Sequence, residues 1–218
     1  MSINKLAEYI LANPYRRKRI LEDQKYVKAF MAARYDDACE TIVSYLTVKN
    51  LDDNYLLKRI ELIGNSVVKT TFEEQKKISC IEALETFYEY SGMFESIIDF
   101  SRSSGLFNTK TENIKDVEVS IRPEVLLQYT KNDIEYIGAI KLVFSKTHPI
   151  DNEGTYISAM IKHFLESNKK RGQRISDKHC MVLDVFTGNI FYPPRAIVRK
   201  SAEIEAACEE IAARWNTL

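Results

Sequence analysis

A chain of 218 residues, 45% hydrophobic and 28% charged, can bury a sizeable core, and its seven glycines and five prolines leave little room for disordered linkers. Lys and Arg number 31 against 31 Asp and Glu, so no global positive field draws the protein onto nucleic acid; any such contact needs a local patch. Cys39, Cys80, Cys180 and Cys208 are far apart, with no CxxC pair and no grouped histidines, which argues against a zinc or redox motif and for reduced, packed thiols. Asn4, Lys5 and Glu8 interrupt the first ten residues, and no apolar run approaches the roughly 18 residues that span a bilayer. A cytoplasmic protein is expected.

The first hundred residues read as helical. Leu6, Tyr9, Ile10 and Leu11 form a short amphipathic stretch, and Asn13-Pro14 supplies a cap and a first-turn proline for the next helix. That helix carries an apolar stripe through Ile20, Leu21, Tyr26, Val27, Phe30 and Met31. A further amphipathic segment runs from Ala33 to Leu46, and Asp52 or Asp53 caps another to Ile63. Thr70-Thr71 before Glu73-Glu74 is an approximate capping box opening the longest helical pattern, which runs to about Phe100 with a break at Ser91-Gly92. The composition then changes over Ser101 to Asn113, a candidate boundary. These features divide the chain into a helical region 1–70 and an α/β region 71–218.

Val117 to Ser145 reads as one β-hairpin about a loop at Thr130 to Asp133. Pairing Tyr129 with Ile134 sets Glu124 opposite Ala139 and Arg122 opposite Lys141, all four on one face. A carboxylate, a guanidinium and an ammonium clustered on two strands exceed what a plain core strand needs. Beyond the hairpin come a break at Thr147-His148-Pro149, a helix over 154–167, and a basic solvated loop from Lys169 to Arg174 that includes Arg171. His179 to Phe186 is a strand apolar on both faces, Ile190 to Tyr192 is its short partner, and Ser201 opens a last helix. A helix between a hairpin strand and a later buried strand makes a crossover, which adds a parallel neighbour. The expected fold class is α/β (α+β): a small mixed sheet flanked by helices. His148, His163 and His179 are not grouped, which argues against a hydrolase triad.

Pro123-Glu124 followed by Ala139-Ile140-Lys141 resembles the paired motifs of the PD-(D/E)XK, or restriction-endonuclease-like, nuclease superfamily over roughly residues 71 to 218. The resemblance implies two acids holding Mg²⁺ and a lysine orienting the attacking water, in a protein of DNA processing or antiviral defence. Carried onto this chain, Glu124 and Lys141 become the catalytic pair, with Glu124 and Asp184 as metal-side acids. Arg122, Lys169 and Arg171 become substrate contacts. Glu85 and Glu89 are substitute ligands or simply a solvated helix face. The second acid is missing, because Ala139 stands in its place. Arg122 and Lys141 against one carboxylate make the cluster net positive, which opposes a dication. Three origins fit Ala139: a member that keeps the fold for binding, a nuclease whose Glu has been replaced by Ala, or an accidental likeness. Arg16-Arg17-Lys18-Arg19 is either a phosphate contact or a solvated face paired with Glu22 and Asp23. A different class of function, a non-catalytic module that docks a protein partner through its helical half, fits the neutral charge and twelve tyrosines equally well.

Overall fold

The computed structural model describes residues 1–26, 34–48, 52–105, 110–146 and 150–218. Four short helices come first: α1 (Ile3–Leu11), α2 (Pro14–Lys25), α3 (Asp36–Thr47) and α4 (Asp53–Gly64). Each start but that of α3 is fixed by a side-chain cap. Asn13 Oδ1 accepts from Arg16 N at 2.9 Å with Pro14 in the first turn, and Asp52 accepts from Asn54 N. Helix α5 (Thr71–Tyr90) opens on a full capping box, Thr70 Oγ1 accepting from Glu73 N while Glu73 Oε2 accepts from Thr70 N. Its pattern continues past Ser91 as a 3₁₀ segment, Ser91–Ile97, so the break expected at Ser91-Gly92 is a change of winding. The Val27, Phe30 and Met31 part of the stripe and the Thr147-His148-Pro149 break lie outside the described residues.

The stretch expected to be a boundary contributes β1 (Ser101–Ser104) and β2 (Lys110–Ile114). The single hairpin expected over 117–145 divides into three strands: β3 (Val117–Ile121), β4 (Val125–Lys131) and β5 (Ile134–Val143). β3 pairs with β2 in a separate two-stranded ribbon, whereas β4 and β5 lie in the main sheet. Pro123 stands at the division, where it cannot donate to a ladder. The turn between β4 and β5 is two residues, Asn132 and Asp133, both at positive φ. That is the tight hairpin geometry which asparagine and aspartate tolerate. Compared with a four-residue loop it shifts the register by two, so Tyr129 meets Tyr136 and Leu126 meets Ala139.

α6 (Asn152–Asn168) carries the chain across to β6 (Arg174–Asp184), which joins β5 in parallel as the crossover predicts; β7 (Ile190–Phe191) and α7 (Ile197–Trp215) complete the fold. The result is a mixed α+β structure with sheet order β1-β4-β5-β6-β7. β6 begins earlier than its apolar run because four residues, Ser176 to His179, bulge opposite Gly138 alone. A Cβ at Gly138 would stand 2.4 Å from the His179 carbonyl, so the bulge and the glycine require each other.

Alternation along β5 splits the core in two. Ala139 and Val143 face a layer built from α1, α2, α6, α7 and β3. Ile140 and Leu142 face the other, built from α3, α4, α5 and the 3₁₀ segment. The helices before residue 70 therefore pack on both sides of the sheet.

Candidate functional site

Glu124 lies one residue beyond the last ladder pair, Val125 with Ile140, at the end of the sheet where β5 finishes. Because β4 starts only at Val125, the Leu142 N–H has no ladder partner on that side, and Glu124 Oε2 accepts from it at 2.7 Å. The other carboxylate oxygen accepts from Lys141 Nζ at 2.6 Å, and the same ammonium donates to the Arg122 carbonyl at 2.7 Å. Acid and base therefore come together as the sequence expects, although Glu124 meets Lys141 itself rather than Ala139. Glu124 is 7% exposed and Lys141 8%. Burial raises the Glu124 carboxyl above the usual carboxylate range, with the Lys141 charge and hydrogen bond and the Leu142 N–H pulling in the opposite direction.

Arg122 is exposed beside this pair. Together with Lys141, Ser120, Gln24 and the first turn of α1 it lines a groove of about 330 Å³. Lys141 is thus a wall of this groove although it is covered nearly as fully as its carboxylate partner.

Asp184 ends β6 opposite Val143, on the strand beside Lys141 and at the same end of the sheet, but it is fully buried and its two oxygens accept from the main-chain N–H groups of Ile150 and Phe186. The remaining expected residues do not converge here. Lys169 and Arg171 lie in the exposed loop before β6, level with the start of β5 rather than its end. Five residues of strand, roughly 16 Å, separate the levels of Tyr136 and Lys141, so the expectation that this loop borders the site is corrected by the parallel register. Glu85 and Glu89 are exposed on α5. Of the basic run, Arg16 pairs with Glu8, Arg17 with Glu210, and Lys18 stands near Glu22.

The implied Mg²⁺ does not fit this donor set. Glu124 already accepts from an ammonium and an amide, Ala139 offers no oxygen, and Asp184 is committed to a turn. Among the described residues no three His, Cys, Asp or Glu side chains gather.

A second polar cluster escaped the sequence reading. Within the β6 bulge the Ser176 hydroxyl shares a 2.7 Å hydrogen bond with His179 Nδ1 and a 3.0 Å one with the Tyr129 hydroxyl, while Phe100 stacks on Tyr129 and meets His179 edge-on. The only sequence signal is Ser-x-x-His inside a strand. Ser176 and His179 are 5% and 7% exposed, so the pair seals the bulge instead of facing a substrate. Burial, with Lys178 adding to it, lowers the imidazole to about 4 from an ordinary 6.5. Between those values the unfolded chain binds a proton that the native state refuses, so stability falls as pH drops from 6.5 toward 4. The expected loss is about 3 kcal/mol. Urea denaturation at pH 7.5 and 4.5 will show a larger drop in the wild type than in His179→Gln.

Compared with known proteins, the chain matches no family model and no curated sequence. Among the described residues no helix is long and apolar enough to cross a membrane.

Proposed function

We propose that the protein grips a phosphodiester at Arg122 and Lys141 and acts on or near nucleic acid in a nuclease-like α/β framework. As the sequence stands it hydrolyses that bond slowly or not at all. The observation carrying this reading is the 2.6 Å pairing of Glu124 with Lys141 beside an exposed Arg122, at the end of two neighbouring strands. Glu124 holds the ammonium in place, Lys141 and Arg122 supply the positive charge, and Ala139 leaves the second acid missing. The element order is consistent with the same reading: a long helix, a hairpin of β4 and β5, a crossover helix and a parallel strand follow one another, with the β2–β3 ribbon set apart from the main sheet. A role in DNA processing or antiviral defence, in the cytoplasm, belongs to this proposal.

The test is binding of short duplex and single-stranded DNA at 50 and 200 mM salt. Binding is expected to weaken with salt through counterion release. Arg122→Ala is expected to weaken it about tenfold and flatten the salt slope by about one unit. Equal binding by the variant at both salts removes the proposed grip.

One observation favours the second class, a protein-docking module. Leu57, Leu62, Val67 and Ile78 are exposed on α4, the segment after it and the start of α5. DNA binding at neither salt would favour that reading.

A further inference from the structure

β3 alternates: Val117, Val119 and Ile121 turn into the core, Glu118 and the half-buried Ser120 turn away from it, and Arg122, one residue past the strand, is exposed. That outward row is the floor of two cavities in succession. One, about 620 Å³, is lined by Asp116, Glu118, Ile211 and Trp215; the other is the 330 Å³ groove of Ser120, Arg122 and Lys141. Met1 and Gln24 line both, so the two adjoin as a two-part groove, with Met1 beside β3 where they meet: its ammonium donates to the Glu118 carbonyl and its carbonyl accepts from Ser120 N, each at 2.8 Å. The groove runs from an end lined by Asp116, Glu118 and Trp215 to a cationic end over roughly 13 Å of strand, four residues at about 3.4 Å each.

Each end has its own chemistry. At the cationic end, Arg122 offers a planar fork of donors, and Lys141 has two of its three protons engaged among the described residues. At the other end the Trp215 indole is partly exposed, with Lys25 Nζ 5.9 Å from its ring centre. Lys25 also donates to the Trp215 carbonyl at 2.8 Å, which fixes the end of α7 against α2. Asn4 lines the cationic cavity, with its Oδ1 buried and without a partner among the described residues.

We infer that this groove holds a nucleotide, as a free mononucleotide or as the end of a single strand, with the phosphate at Arg122 and Lys141 and the base against Trp215. The inference rests on the phosphate grip proposed above and adds what lies beyond it. Base stacking on an aromatic side chain is favourable for any base because every base has a π-face. Glu118 sets the base preference, since a carboxylate accepts two parallel hydrogen bonds and guanine offers two adjacent N–H donors on its pairing edge. Adenine and cytosine offer one amino group beside a ring-nitrogen acceptor, which faces the carboxylate's own lone pairs.

Trp215 is the sole tryptophan, so intrinsic fluorescence reports on this groove. The experiment titrates the full chain with guanosine, adenosine, cytidine and uridine 5′-monophosphates, with guanosine, and with inorganic phosphate. Guanosine monophosphate is expected to quench Trp215 saturably. Guanosine and phosphate should each bind at least about tenfold more weakly, the equivalent of one well-made interaction. Arg122→Gln should lose about tenfold for the nucleotide and nothing for the nucleoside, and Glu118→Gln should erase the guanine preference; both residues are exposed, so folding is not at issue. Absence of saturable quenching by any nucleotide, or equal affinity for phosphate and nucleotide, overturns the inference. If DNA binding is still salt-sensitive and Arg122-dependent in that case, the groove assignment alone fails. If Arg122→Gln changes neither DNA nor nucleotide binding, the phosphate grip fails with it.

Discussion

Lys141→Met is expected to cost about 3–5 kcal/mol of stability at pH 8, because it strands a buried carboxylate with no countercharge. The Glu124 side chain sits 9% exposed, 2.6 Å from the ammonium that would be lost. Its carboxyl already stands above the ordinary range through burial, and Lys141 is the chief influence pulling it down. Removing the lysine raises it further. A group whose folded pKa is raised keeps its stability below the unfolded value and loses it as pH climbs through the folded one. The variant's deficit against wild type should therefore shrink as pH falls from 8 to 5, because the raised carboxyl takes up a proton more readily than in the unfolded chain. The double variant Glu124→Gln, Lys141→Met should regain most of the loss, since two neutral groups need no compensation. Denaturant titrations at both pH values measure this, and a deficit independent of pH would mean that Lys141 acts through packing.

Ala139→Glu carries the second large effect, with opposite consequences for stability and activity. Ala139 is fully buried, between Leu126 on β4 and Cys180 on β6, on the sheet face that also carries Lys141. A carboxylate placed there without a partner should destabilise the fold by roughly 3 kcal/mol or more. If the site descends from a metal-dependent phosphodiesterase, Mg²⁺ or Mn²⁺ should return much of that stability, about 2.7 kcal/mol at a hundred times the dissociation constant. Cleavage of DNA should appear with it. Thermal melts with and without the dication, and a cleavage assay across DNA and RNA, read the two effects separately. A Glu variant that the dication neither stabilises nor activates would dismiss a lost second acid as the explanation of Ala139.

Where a local rule decides, the chain is legible. Asn13-Pro14, Asp52 and the Thr70/Glu73 box mark helix starts through hydrogen bonds spanning two to four residues, and sequence shows these directly. The parallel β5–β6 pair follows from a crossover helix, which again needs only element order. Register is different. Whether four residues or two make the β4–β5 turn depends on Asn132 and Asp133 both adopting positive φ, and the flanking threonine and lysine suit a loop as well as a strand. The shift is even, so Glu124 and Lys141 stay on a common face and only their exact neighbours change. The Ser176, His179 and Tyr129 cluster depends on a bulge opposite Gly138, which no periodicity announces.

The sequence by itself determined the helix caps, the mixed sheet and the likeness that singles out Glu124 and Lys141, because propensity, capping and alternation act over a few residues. Only the tertiary structure decided that β3 leaves the main sheet, that Lys169 and Arg171 stand at its other end, and that Glu124 is tied to Lys141 and Leu142 N–H instead of open to a metal. Those outcomes depend on which distant segment satisfies each backbone group and where each charge meets water, and such pairings are fixed only when the whole core closes.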